Sequence, residues 1–187
     1  MNTSRSVLSI RKTQSHGSIG EAAVTAKCWM NGIPAHNTNG FRANFAGSDI
    51  IVDTHDPRVK LLIQVKTGYC PAKGQIYLTQ TSGEDDLSND KFKSDFVVFV
   101  NMNKKAGESH THRGTLDFTH LSYYVVPAAE ANSIFRAAVL REYARPLIKN
   151  PEKKRSLSNM AVNVDPSIME TYRDAWKLLR GERLGDA

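Results

Sequence analysis

The stretch Leu61-Leu62-Ile63-Gln64-Val65-Lys66 carries the signal that decides the fold of this chain. It is rich in branched apolar residues and Gly68 follows it closely, so the sequence predicts a β-strand here. Side chains alternate between the two faces of a strand, which places Gln64 and Lys66 on the same face. Two polar side chains on one face of an otherwise apolar strand are the first candidates for a functional site.

The preceding segment, Asp49-Ile50-Ile51-Val52-Asp53, predicts a second strand that begins directly after a Gly-Ser turn. From an adjacent strand, the Asp49 carboxylate could approach Gln64. Oxygen ligands on strands suit Mg²⁺, and a lysine beside such an ion can orient or deprotonate an attacking water. The alternatives are that Asp49 only starts a strand after the turn and that Lys66 is an edge-strand lysine. Asp53 borders the next turn and is assigned to turn chemistry.

A helix is predicted upstream, over residues 19–31. Ser18 and Glu21 have the spacing of a capping box, and Asn31 followed by glycine is a typical helix end. Apolar residues recur at helical spacing and predict its buried face: Ile19, Ala22, Ala23, Ala26 and Met30. Two roles are open for Glu21, which either caps the helix or belongs to the metal site.

The remaining segments predict further strands and then helices. Extended structure is expected over residues 41–45, 76–79, 96–100 and 123–126, followed by helices over 127–143 and 165–181. This order predicts one α/β domain over residues 17–187, with a central mixed β-sheet flanked by helices, after a loose arm over 1–16. Four aromatic residues are expected in the core: Trp29, Phe96, Phe99 and Trp176.

Composition narrows the class of protein. The chain has 187 residues, of which 40% are hydrophobic and 24% charged, as in soluble globular domains. No apolar run approaches the ~20 residues that span a bilayer, and no signal peptide is evident. We therefore expect a cytoplasmic protein without a membrane partner, with Cys28 and Cys70 reduced.

The charge balance is basic. Lys and Arg number 25 and Asp and Glu 19, a formal net charge of +6, which suggests a polyanionic partner. The run Lys153, Lys154 and Arg155 is either a solvated loop or a set of phosphate contacts that positions a duplex without reading bases.

Together these elements resemble the PD-(D/E)xK nuclease superfamily, which includes restriction endonucleases and Holliday-junction resolvases. Residues 17–21 are similar to the family's first helix with its acidic residue, and 49–52 to the strand with the metal-binding aspartate. Residues 64–67 are similar to the half-motif that ends in the catalytic lysine. Residues 95–100 and 123–127 resemble the strands that continue the family's sheet.

The resemblance implies a Mg²⁺-dependent DNA endonuclease, with Mn²⁺ as a possible substitute and a homodimer as the assembly. Asp49, Gln64 and the backbone carbonyl of Val65 would hold the ion, Glu21 would bind it directly or through water, and Lys66 would act on the nucleophilic water. Ser48 stands where the family name has proline, and Gln64 where an acidic residue is usual, as in the Gln-x-Lys variant of some Mrr-like relatives. The neutral amide should weaken Mg²⁺ binding and favour one ion over two.

The sequence also allows an alternative function and an alternative metal site. A non-catalytic nucleic-acid-binding protein that kept the nuclease fold is the alternative function, and Gln64 is its main support. His110 and His112 would share one face of a strand, but neither a cysteine nor a third histidine lies at zinc-ligand spacing.

Overall fold

The computed structural model describes residues 3–38, 47–54, 56, 58–68, 76–79, 90–102, 121–145 and 161–185. Its main sheet has five strands. They are β1 Ala35–Asn37, β2 Ile50–Asp53, β3 Lys60–Gly68, β5 Phe96–Met102 and β6 Leu121–Pro127, in this order across the sheet. The β3–β5 pair is parallel and the other pairs are antiparallel. The predicted single α/β domain with a central mixed sheet is therefore confirmed.

A second sheet pairs β4 Ile76–Thr79 with β7 Ala161–Val164 in antiparallel register. The sequence predicted β4 but not β7. It also missed β1, which has only three residues and follows Pro34. The extended segment expected over 41–45 lies outside the described residues.

The first helix, α1 Thr3–Met30, is longer than predicted. The segment expected to be a loose arm is helical from Thr3, so the prediction that the helix begins near residue 19 is wrong. Gly17 and Ser18 lower helix propensity without ending the helix. Because Ser18 lies inside α1, it cannot start the helix as a cap, and the capping reading of Glu21 is excluded. The division of the chain at residue 17 remains a prediction.

The buried face of α1 also differs from the predicted one. Gly20, Val24 and Cys28, spaced four residues apart, are buried against the sheet. Met30 is 76% exposed and Trp29 is 54% exposed, so the prediction of Trp29 as a core residue is wrong. Alanine is accommodated as readily on an exposed helix face as on a buried one, so the alanine positions did not identify the buried face of α1.

Two cores lie on opposite faces of the sheet, and β5 contributes to both. Val98 and Val100 face the core under α1, while Val97 and Phe99 face the core under the second helix, α2 Ala128–Ala144. All four side chains are fully buried. The predicted buried strand and the predicted helix after Pro127 are both confirmed.

The C-terminal part differs from the single helix expected over 165–181. It forms two 3₁₀ helices, Pro166–Tyr172 and Trp176–Arg180. Asp174 separates them with a left-handed φ of 49°, a conformation that interrupts a right-handed helix. Its N–H donates to the Tyr123 carbonyl of β6, so the chain crosses the sheet edge at this point. Trp176 is buried, as predicted.

No helix in the described part of the chain is long and apolar enough to cross a membrane.

Candidate functional site

Asp49 lies where β2 leaves the regular ladder with β3. Ile50 pairs with Ile63, yet the Asp49 N–H also donates to the Ile63 carbonyl at 2.8 Å, so the register is not continued. The Asp49 carboxylate then takes the place of a strand partner, because its Oδ2 accepts the Val65 N–H at 2.7 Å. The aspartate predicted to carry the metal site is thereby joined to the middle residue of the Gln64-Val65-Lys66 triplet.

Thr38 forms hydrogen bonds to the backbone of Ser48 and Asp49. The Thr38 N–H donates to the Asp49 carbonyl at 2.9 Å, and its hydroxyl donates to the Ser48 carbonyl at 3.0 Å. Thr38 is 7% exposed and Ser48 is 1% exposed, so water does not compete for these bonds. Asp49 is thus fixed by backbone contacts on both sides.

Glu21 reaches the same region from α1. Its Oε2 accepts a hydrogen bond from Asn37 Nδ2 at 3.2 Å, and Asn37 is the last residue of β1. The side chain is half-buried at the border of the buried helix face. The second predicted acidic residue therefore faces the end of β1 and β2, where Asp49 lies.

Lys66 senses both acidic residues. Burial lowers the pKa of the Lys66 ammonium below its usual range, while the negative charges of Asp49 and Glu21 act in the opposite direction. In the part of the chain that the structure describes, Lys66 forms no ion pair with either carboxylate at salt-bridge distance. The Lys66 ammonium is thus within electrostatic range of both carboxylates.

Gln64 completes the polar set. Ile63 and Val65 belong to the core under α1, so strand alternation turns Gln64 and Lys66 to the other face. The Gln64 Oε1 atom is buried and has no hydrogen-bond partner among the described residues. Leaving such an oxygen unpaired costs about 1–3 kcal/mol, a cost that a ligand to that oxygen would remove.

The chemistry of these donors fits a hard divalent cation. Two carboxylates, from Glu21 and Asp49, and the unpaired oxygen of Gln64 are the oxygen ligands that Mg²⁺ prefers. Within the described residues, no group of three or more His, Cys, Asp and Glu could hold a metal. A site here would therefore depend on the amide oxygen of Gln64 as its third side-chain ligand. The role of the Val65 carbonyl remains a prediction.

A bacterial homing endonuclease has a similar structure. This enzyme, I-Ssp6803I, matches with a TM-score of 0.49 and 18% sequence identity, over 90% of this chain and 93% of its own. The sequence matches no protein-family model and none of the curated proteins.

Other residues singled out in the sequence lie apart from this set or outside the described residues. Asp53, at the far end of β2, pairs with Lys60 and with His36 across neighbouring strands, and these contacts lower the pKa of its carboxyl. The predicted DNA-contacting residues and the two candidate zinc ligands fall outside the described residues: Lys153, Lys154, Arg155, His110 and His112.

Sequence reasoning missed three residues around the site. Asn37 is the last residue of the short strand β1, and Thr38 follows it. Neither residue belongs to a sequence motif. Gly20 approaches β3 so closely that a Cβ there would overlap the Thr67 hydroxyl. The signal that could have revealed Gly20 is its position directly before Glu21 in a helix, where glycine is otherwise unfavourable.

Proposed function

We propose that this protein is a Mg²⁺-dependent DNA endonuclease of the PD-(D/E)xK type that hydrolyses phosphodiester bonds. The observation that carries the proposal is the hydrogen bond from the Val65 N–H to Asp49 Oδ2 at 2.7 Å, which joins the aspartate to the strand that carries Gln64 and Lys66. Burial lowers the pKa of the Lys66 ammonium, while the charges of Asp49 and Glu21 act in the opposite direction. A desolvated lysine with a lowered pKa next to two anionic side chains is typical of catalytic sites.

Each residue has a distinct role in the proposed reaction. Asp49 and Glu21 bind the ion with the Gln64 oxygen, and Mn²⁺ can replace Mg²⁺. When bound, the ion polarises the scissile phosphate and lowers the pKa of a bound water. Lys66 orients the attacking water and, in its neutral fraction, takes up the water proton as the new P–O bond forms. The P–O bond to the leaving sugar oxygen breaks, that oxygen takes a proton from solvent, and the resulting ammonium stabilises the charge on the phosphate oxygens.

DNA as the substrate is supported by charge. The net charge of +6 favours a polyanion, and phosphate contacts give affinity that does not depend on sequence. A homodimer would place two such sites on the two strands of a duplex, and the cytoplasm offers the reduced, Mg²⁺-containing setting; both belong to the proposal.

One observation favours a second candidate function. Gln64 contributes an amide where the reaction chemistry is best served by a third carboxylate, so its weaker attraction for Mg²⁺ would suit a non-catalytic nucleic-acid-binding protein. The two functions differ in whether any bond is cleaved.

Incubation with supercoiled plasmid, linear duplex and a four-way junction, each with Mg²⁺ or with chelator, tests the proposal. We expect cleavage of at least one DNA form that chelator abolishes and that Lys66→Ala lowers by about a hundredfold or more, with DNA binding retained. Wild-type protein that binds these DNAs and cleaves none of them with Mg²⁺ or Mn²⁺ would contradict the enzyme and favour the binding protein.

A further inference from the structure

The end of β1 contacts the two acidic residues of the site through two consecutive residues. The Asn37 side chain donates to the Glu21 carboxylate at 3.2 Å, and the Thr38 N–H donates to the Asp49 carbonyl at 2.9 Å. Glu21 belongs to a helix and Asp49 lies at the start of a strand, so their relative position depends on the elements that contact both. β3 is one such element, and β1 with Thr38 is a second one, which bonds directly to both acidic residues.

The chemistry of Asn37 suits positioning. The amide N–H₂ group donates and carries no charge, so it holds Oε2 of Glu21 without neutralising the carboxylate and without competing for a cation. A lysine or arginine at this place would form an ion pair and weaken cation binding. The hydrogen bond also restricts a side chain with three rotatable bonds, which lowers the entropy lost when Glu21 binds.

Thr38 acts on the backbone around Asp49. Its buried hydroxyl bonds to the Ser48 carbonyl at 3.0 Å, directly before the aspartate. The carboxylate of Asp49 is itself held by the Val65 N–H at 2.7 Å. Thr38 therefore fixes the backbone that leads into Asp49, and the Val65 N–H fixes the direction of its carboxylate.

We propose that Asn37 and Thr38 are positioning residues that hold Glu21 and Asp49 in the geometry in which both bind one divalent cation. For its consequence in metal binding, this inference rests on the proposed function. Neither residue contacts the substrate or the reacting atoms; each acts through an acidic residue. Partners that orient metal ligands typically change metal affinity by about tenfold to a hundredfold when they are removed.

A matched control exists on the other side of the sheet. Asn132 in α2 also uses its side-chain amide for internal hydrogen bonds, with Oδ1 accepting from Phe92 N–H at 2.9 Å and Nδ2 donating to the Phe92 carbonyl at 3.0 Å. This asparagine is buried in α2, which packs on the sheet face opposite α1, and in the described part of the chain it forms no hydrogen bond with Glu21 or Asp49. Loss of its side chain should lower stability without affecting cation binding.

Mn²⁺ titration by calorimetry, with the melting temperature recorded for each variant, tests the proposal. We expect Asn37→Ala and Thr38→Val to weaken Mn²⁺ binding by about tenfold or more, and Thr38→Ser to keep the wild-type affinity. Asn132→Ala should lower the melting temperature and leave the affinity unchanged. Asn37→Ala that binds Mn²⁺ as tightly as wild type, or weakens it only as much as Asn132→Ala does, would overturn the proposal.

A metal-free double-mutant cycle separates this inference from the proposed function. The melting temperature lost through Asn37→Ala should be smaller in a Glu21→Ala background, because the Asn37–Glu21 hydrogen bond is then already absent. Equal losses in both backgrounds would show that the residues are not coupled. If wild-type protein binds no Mn²⁺, the proposed function fails, and this cycle still decides whether Asn37 holds Glu21.

Discussion

Lys66 carries its charge in a place where burial disfavours it. Its folded-state pKa is lowered from the ordinary lysine value of 10.5, so between the lowered pKa and 10.5 the unfolded chain binds more protons than the folded one. The free energy of unfolding therefore rises with pH across this window, and at lower pH the buried ammonium destabilises the fold. This is a cost at the residue scale that a catalytic role would explain.

Replacement by methionine should expose this cost. Lys66→Met keeps the apolar stem and removes the charge, so we expect a higher free energy of unfolding than wild type at neutral pH. The difference should shrink as the pH rises toward 10.5. Chemical denaturation at a series of pH values measures it, with Lys93→Met at an exposed position as the control. A difference that does not vary with pH would contradict a buried, titrating ammonium.

Gln64 offers a second test at the residue scale, because its oxygen is buried and unpaired. Gln64→Met keeps the shape and removes that oxygen, so the metal-free protein should gain about 1 kcal/mol while cleavage falls by about a hundredfold. Gln64→Glu should tighten Mn²⁺ binding by about tenfold or more, since a unit charge near a divalent ion contributes several kcal/mol at an effective dielectric constant of ~20. Calorimetry and cleavage rates distinguish the two variants. Unchanged Mn²⁺ affinity in both would remove Gln64 from the site.

Whether a site residue could be predicted depends on whether its role is visible in the local sequence pattern. Asp49 directly precedes one apolar strand and Lys66 interrupts another, so their residue types are informative within the local pattern. Asn37 and Thr38 act through contacts with residues 16 and 11 positions away in sequence. Such contacts depend on the packing of β1 against α1 and β2, which no local periodicity encodes.

At the scale of elements, the approach of α1 to β3 decides where Glu21 lies. Gly20 contacts β3 at Thr67, where a Cβ would overlap the threonine hydroxyl. The buried face of a helix cannot be inferred from apolar spacing alone when one of its contact positions is a glycine. The helix was therefore predicted correctly from the sequence, but its buried face was not.

Gly20→Ala should therefore push α1 away from β3. We expect a loss of about 1–3 kcal/mol in unfolding free energy, as for other overpacked core positions, together with weaker Mn²⁺ binding because Glu21 moves with the helix. Thr67→Ala in the same chain removes the overlapping hydroxyl and should restore most of both.

Gly17→Ala is the matched control in the same helix. A Cβ at Gly17 has nothing within 4 Å, so this change should add about 0.5–1 kcal/mol through helix propensity alone. Denaturation curves of the three variants give the comparison. A Gly20→Ala protein that gains stability as Gly17→Ala does would show that the close approach of α1 to β3 is absent.

At the scale of the whole molecule, the most predictable feature was a central sheet with a layer packed on each face. Val97, Val98, Phe99 and Val100 form a continuous apolar run, and burial on both faces of β5 requires a layer on each side. The helices α1 and α2 supply these layers. The short β1 and the 3₁₀ helices near the C-terminus could not be predicted in this way, because tertiary contacts such as the Asp174–Tyr123 hydrogen bond stabilise them.

The positive charge of the whole molecule leads to a prediction about DNA affinity. Each phosphate contact made by a lysine or arginine releases counterions, so log affinity should fall linearly with log salt, by about 0.9 per contact on duplex DNA. Replacing Lys153, Lys154 and Arg155 together by glutamine should lower this slope by up to about 3 if all three contact phosphates. Fluorescence anisotropy with a labelled duplex at several salt concentrations and with chelator present measures binding without cleavage. A parallel shift in affinity with an unchanged slope would show that these residues form a solvated surface, and that the phosphate contacts of this basic protein lie elsewhere.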